Sequence, residues 1–187
     1  MKVKVAVSAR HIHLTKEDVD ILFGKDYELH KRNDLSQIGQ FASEEKVTIK
    51  TDKGELSLRV LGPVRTYTQA EISKTDSYKL GINPPVRNSG GVVGSEKVTI
   101  IGPNGVIENK ECCIIADRHI HMNNEDSIKY GLKNGDIVSV KTDGVKGSIL
   151  NNVHIRVSDN FVLEMHIDTD DANANLISGG ELLEVIK

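Results

Sequence analysis

The chain contains its opening motif twice, and this repeat limits what it can fold into. Arg10-His11-Ile12-His13-Leu14-Thr15-Lys16-Glu17-Asp18 returns as Arg118-His119-Ile120-His121-Met122-Asn123-Asn124-Glu125-Asp126, with six of nine positions identical. An internal repeat implies two copies of one supersecondary unit. Each copy follows an apolar stretch, Val3 to Val7 in the first and Cys113-Ile114-Ile115-Ala116 in the second. Each runs into a helix start, with Thr15 or Asn123 as N-cap and acidic residues in the next turn. Downstream, Val47-Thr48-Ile49-Lys50-Thr51-Asp52 resembles Val138-Ser139-Val140-Lys141-Thr142-Asp143. Later still, Glu71-Ile72-Ser73 can be laid against His166-Ile167-Asp168, a match weak in identity.

The remainder reads as short strands over 56–61, 98–101, 106–107, 153–157, 161–165 and 182–186. Glycine, proline and asparagine punctuate them at Gly62-Pro63, Asn83-Pro84-Pro85 and Gly102-Pro103-Asn104-Gly105. Many short strands with close turn signals predict a mainly β chain of small barrels or sandwiches. Helices are expected to be few and short, near 15–23, 67–80, 123–130 and 169–177. The glycine-rich stretch 88–95 reads as a mobile loop between the halves. The 187 residues suffice for one domain or two small ones.

Four of the seven histidines fall in the two His-x-His units. Side chains at i and i+2 on a strand share a face, so His11 with His13, and His119 with His121, can each chelate one cation. Neutral imidazole is a common ligand for zinc. The third match supplies Glu71 to the first half and His166 to the second. Three protein donors with an open fourth position is the pattern of catalytic zinc, whereas structural sites are closed by four. His30, in the polar run 28–33, reads as solvated, and His154 as structural. Arg10 and Arg118 read mainly as salt-bridge residues, because on a strand they point away from the adjacent histidine. Arg65, six residues before Glu71, would lie near the first metal, and arginine grips phosphate as a planar fork.

The net charge of −3 gives no reason to propose nucleic acid or an acidic membrane as partner. No apolar run reaches the length of a transmembrane span, and the alternating start Met1 to Val7 lacks a signal-peptide core. The adjacent Cys112 and Cys113 would face opposite sides of a strand, a poor disulfide and a poor metal clip, as expected in a reducing compartment.

Five ordered motifs carry a resemblance over nearly the whole chain. They are Val7-Ser8-Ala9-Arg10-His11-Ile12-His13-Leu14, Leu61-Gly62-Pro63-Val64-Arg65, Gln69-Ala70-Glu71-Ile72-Ser73, Pro85-Val86-Arg87-Asn88-Ser89-Gly90 and Ala116-Asp117-Arg118-His119-Ile120-His121-Met122. Together they resemble the PduL-type phosphate acyltransferases, or phosphate propanoyltransferases, of the propanediol-utilization type. The resemblance implies two intertwined small β-barrels related by the repeat and capped by short helices. One would be built from 10–116 and the other from 117–187, completed by the N-terminal strand 1–9. It implies a two-metal site between the barrels, with two divalent ions, zinc by preference, on His11, His13, Glu71, His119, His121 and His166. It places phosphate on Arg65, and coenzyme A on Val7, Ser8, Ala9, Lys53, Arg59 and Asn173.

The implied reaction is reversible transfer of a propanoyl or acetyl group between coenzyme A and inorganic phosphate, by direct metal-assisted attack of phosphate on the thioester. No Ser-His-Asp or Cys-His set is evident, so no acyl-enzyme is expected. A homodimer and a functional link to an acyl kinase are compatible with it. Microcompartment members often carry an amphipathic N-terminal segment; here the first motif strand begins almost at Met1, so the expectation is a cytoplasmic enzyme unless a partner carries it in. Two rival readings are a zinc-dependent thioester hydrolase and a non-catalytic, metal-stabilised β-barrel binding module.

Overall fold

The computed structural model describes residues 1–186. In chain order the elements are β1 (Lys2–Ser8), β2 (His11–His13), α1 (Lys16–Phe23), β3 (Lys31–Asp34), β4 (Phe41–Lys50), β5 (Glu55–Gly62), β6 (Gln69–Glu71), α2 (Lys74–Leu80) and β7 (Val86–Arg87). They continue with β8 (Glu96–Ile101), β9 (Val106–Ala116), β10 (His119–Met122), α3 (Asn124–Tyr130), β11 (Ile137–Lys141), β12 (Ile149–Val157), β13 (Glu164–Asp168), α4 (Thr169–Asn175) and β14 (Leu182–Ile186).

The chain divides into two compact units, Arg10–Ala116 and Met1–Ala9 with Asp117–Lys187. In the first, strand pairing closes a ring β4–β5–β2–β6–β9–β8 and back to β4, with β3 and β7 outside it. In the second the ring is β11–β12–β10–β13–β1–β14 and back to β11. Every step matches in direction: antiparallel, parallel, antiparallel, parallel, antiparallel, antiparallel. The repeat in sequence is thus a repeat in topology. Closing the ring leaves no unpaired sheet edge within it.

The intertwining lies in the connectivity. β1 leads into the first His-x-His strand but closes the ring of the second unit, between β13 and β14. β9 leads into the second His-x-His strand but closes the ring of the first, between β6 and β8. Alternation sets what each ring encloses. Ile12, Leu58, Val60, Ala70, Ile100 and Cys112 are fully buried in one core, and Val5, Ile120, Val140, Val153 and Met165 in the other. Aliphatic residues carry both cores because aromatics make up only 4% of the chain.

The helices start where capping chemistry allows. Thr15, Ser73, Asn123 and Asp168 each accept a backbone N–H three residues on, which satisfies a donor that the first turn leaves open. Three expectations are corrected. The helix expected over 67–80 is only 74–80, because Gln69–Glu71 is drawn into the sheet between β2 and β9, and Ser73 caps the shorter helix α2. The strand expected at 161–165 begins at Glu164, after a turn in which the Phe161 N–H donates to the Ser158 carbonyl. The loop 88–95 does not join the halves. It lies inside the first unit, between β7 and β8, held by Gly90 N–H on Gln69 and Gly94 N–H on Glu111.

Candidate metal centres

Each His-x-His strand places its central isoleucine, Ile12 or Ile120, wholly in the core. Alternation therefore turns the flanking histidines to the outer face of the ring. The third donor comes from the neighbouring antiparallel strand. His11 stands opposite Glu71, and His119 opposite His166. Directly opposed residues share a face with Cβ atoms about 4.5–5.5 Å apart, so each third side chain stands beside the first histidine of its pair. The register makes Glu71 and His166 equivalent, as do the caps Ser73 and Asp168 two residues further on.

In the first cluster, His11 Nε2 lies 3.4 Å from Glu71 Oε2. The rings of His11 and His13 meet edge-on at 5.1 Å. Burial, with the positive charges of His11 and Arg65 behind it, pushes His13 down to about 3, so it is neutral near pH 7. Burial also acts to raise Glu71, but the charge and hydrogen bond of His11 outweigh it, with a further hydrogen bond from Gln69, and hold the carboxyl well below the usual range. In the second cluster, the rings of His119, His121 and His166 lie 4.6 to 5.0 Å apart. His119 Nδ1 is 2.8 Å from the Asp117 carbonyl, which can only accept, so Nδ1 donates and Nε2 is the nitrogen that would face a cation. His121 stacks on Phe161 at 3.9 Å.

Both donor sets fit a divalent cation. Within each cluster one donor atom per residue lies within 4.8 Å of the others. Tetrahedral zinc with bonds of about 2.0–2.1 Å sets its donors roughly 3.3–3.4 Å apart, close to the 3.4 Å His11–Glu71 separation. His13 Nδ1 is buried with no hydrogen-bond partner of normal geometry, a cost that a bound cation would relieve. Nitrogen and carboxylate donors suit zinc and similar metals. Each centre is also braced alike. Arg10 pairs with Asp76 in the first turn of α2, and Arg118 forks onto Asp171 in the first turn of α4 at 2.7 Å on both arms.

Arg65 joins the first cluster through side chains that sequence reasoning misses. Its NH1 donates to the Tyr67 hydroxyl at 3.2 Å and to Ser89 Oγ at 3.3 Å. Gln69 Nε2 donates to Ser89 Oγ at 3.0 Å and to Glu71 Oε1 at 2.6 Å. The second unit carries a buried carboxylate at the position matching Gln69: Glu164 pairs in register with His121 as Gln69 does with His13. Its Oε2 is 3.5 Å from His166 Nε2. Period-two alternation back from the third donor would have found both Gln69 and Glu164. Nothing local marks Tyr67, Ser89 or Phe161.

The other expected residues are more scattered. Val7 and Ser8 end β1 beside Ile167 and Asp168, with Ala9 exposed after them. Asn173 is exposed on α4. Arg59 is in register with His11, and its NH1 donates to the Ser43 carbonyl at 2.6 Å. Lys53 lies at the tip of the β4–β5 hairpin, with its methylenes against Gly81 at the end of α2. From Glu55 beside that tip to Arg59 is roughly 13 Å of strand, so Lys53 is not brought to the histidines. His30 is not merely solvated: its Nδ1 meets Glu45 at 2.7 Å. His154 Nε2 lies 3.7 Å from Asp117.

Cys112 and Cys113 are both fully buried and unbridged. Burial pushes the Cys112 thiol up to about 12 and the Cys113 thiol higher still. Neither can serve as a thiolate nucleophile. Native protein is expected to react with a thiol reagent at least a hundredfold more slowly than unfolded protein; prompt labelling of either cysteine would contradict this.

The sequence profile of the phosphate propanoyltransferase family matches residues 4–178. A phosphate propanoyltransferase of Priestia megaterium is 56% identical across 96% of this chain and 83% of its own length. Those of Thermotoga maritima and Lachnoclostridium phytofermentans are 48% and 50% identical, each across 98% of this chain and 88% and 87% of their own lengths.

Proposed function

The chain belongs to the phosphate propanoyltransferase family, and we propose from this that it exchanges a short-chain acyl group between coenzyme A and inorganic phosphate. The observation that carries the reading is the pair of three-donor clusters at equivalent register positions of a repeated ring, with Arg65 tied to one of them. His11, His13 and Glu71 would hold one divalent ion, zinc by donor type, and His119, His121 and His166 another. Ions held there would supply a Lewis acid to orient phosphate and to stabilise negative charge on the thioester oxygen.

The chain's own residues account for the rest. Phosphate is a weak nucleophile towards a thioester, so fixing its orientation matters more than raising its reactivity. Arg65 has NH1 bound to Tyr67 and Ser89, which leaves its Nε–NH2 edge for a ligand. That edge fits two oxygens of a phosphate. A phosphate oxygen attacks the carbonyl carbon, the C–O bond forms, the C–S bond breaks, and the thiolate of coenzyme A leaves. Both cysteines are buried and protonated, which removes them as acyl acceptors. Coenzyme A contacts are proposed at Val7, Ser8, Ala9 and Asn173 and at Arg59, with Lys53 at the hairpin tip. A cytoplasmic setting, a homodimer and an acyl kinase acting on the acyl phosphate accord with this chemistry. Among the described residues no helix is long and apolar enough to cross a membrane.

The test is an assay of propanoyl-CoA with metal-analysed protein, with and without phosphate, across acyl chain lengths. Thiol release should depend on phosphate and match acyl phosphate trapped as hydroxamate. Equal release of free acid without phosphate would make the protein a hydrolase.

A further inference from the structure

The hydrogen bonds around Arg65 have directions that chemistry alone assigns, and they end in an unused donor. The Gly90 N–H only donates, so Gln69 Oε1 faces it at 2.7 Å. That orientation turns the Gln69 amide nitrogen to Glu71 Oε1 at 2.6 Å. Its second amide hydrogen goes to Ser89 Oγ. Arg65 NH1 has two hydrogens, one spent on Ser89 Oγ and the other on the Tyr67 hydroxyl.

Ser89 Oγ therefore receives two donors, which fills both of its lone pairs. Its own proton goes to its remaining partner, the Tyr67 hydroxyl at 3.3 Å. Tyr67 then accepts from both Arg65 and Ser89, and its phenolic proton has no acceptor among the described residues. Beside it, Arg65 makes every one of its side-chain hydrogen bonds through NH1, leaving Nε and NH2 open. The result is a guanidinium edge and an O–H donor side by side, fed by a relay that begins at Glu71.

We infer that Tyr67 is a second donor to the phosphate that Arg65 binds, with Ser89 as the positioning residue that turns its proton outward. The inference rests on the proposed function and adds to it a residue that touches the substrate. Tetrahedral phosphate presents several acceptor oxygens, so it can take the fork of Arg65 and a third hydrogen bond together. The Ser89–Tyr67 separation of 3.3 Å exceeds the ~2.7–2.8 Å of a tight O–H···O bond, and the Arg65 contacts of 3.2 and 3.3 Å exceed the ~2.9–3.0 Å usual for N–H···O, so these groups are held loosely enough to turn towards an anion. Gly90, at φ 97°, runs in ordinary contact beside the Tyr67 ring.

The same donors could meet free phosphate or a phosphate of coenzyme A, and steady-state kinetics separate the two. Tyr67→Phe should raise KM for phosphate about tenfold, as expected for one lost hydrogen bond to a charged group, with KM for acyl-CoA within twofold of wild type. Titration calorimetry of inorganic phosphate into metal-loaded protein should weaken by a similar factor, and Ser89→Ala should move both readings the same way. An unchanged phosphate KM in Tyr67→Phe would overturn the inference. An acyl-CoA KM that rises instead would give the hydroxyl to coenzyme A. Should Tyr67→Phe fail to fold, Ser89→Ala and its calorimetry decide. A wild-type protein that neither binds nor uses phosphate would refute the proposed function itself. A phosphate-dependent wild type matched by Tyr67→Phe refutes only this inference.

Discussion

Arg65→Lys is expected to lower kcat/KM for phosphate by about a hundredfold or more while KM for acyl-CoA stays near wild type. Arginine at this position does two jobs with one planar group. NH1 is spent on Tyr67 and Ser89, and the opposite edge is left for the anion. An ammonium keeps the charge but has no second edge, so it can hold the loop or grip the phosphate but not both. Losing two charge-assisted hydrogen bonds, each about 1.5–3 kcal/mol, corresponds to roughly 10²- to 10⁴-fold. The split between substrates is the readout. An equal loss of both specificity constants would mean that Arg65 only braces the unit, and an unchanged phosphate KM would remove it from the site.

His121→Ala is expected to release one of two bound metal equivalents and to abolish measurable acyl transfer, without unfolding the protein. The strand is held by Ile120 and Met122, both fully buried, and the His121 ring lies on the other face against Phe161. Removing the ring loses that stacking, about 1 kcal/mol, which a domain of this size should survive with a small drop in Tm. Elemental analysis of the purified variant decides the matter. Two ions retained per chain would show that the histidine triad is not a metal site. The matching change His13→Ala should release the ion of the other cluster, and loss of one ion by each variant would show the two centres filling separately.

The two clusters also show how much of the site is legible along the chain. His11 with His13, and His119 with His121, pair on sight, because i and i+2 share a face on any strand. The repeat raises one weak pattern to two. Glu71 and His166 come within reach only because the third match, poor in identity, occupies the right place in each copy. Gln69 and Glu164 obey the same alternation from those positions, but an amide and a carboxylate two residues before a donor carry no mark of their own. The stretch from residue 67 reads as helix because its polar pattern is ambiguous over so few residues, and pairing with β2 and β9 overrides it.

What the sequence by itself determined is local: the chelating pairs, the caps at Thr15 and Asn123, and the duplication of a mainly β unit. Each depends on atoms a few residues apart, where backbone geometry leaves few choices. Only the tertiary structure decided that β9 is held between β6 and β8, that Glu71 stands opposite His11, and that Ser89 from a distant loop ties Arg65 to Gln69. Those are long-range strand registers and loop closures. They are selected by burying two aliphatic cores and pairing every buried backbone group at once, a condition on the whole chain that no short stretch of it records.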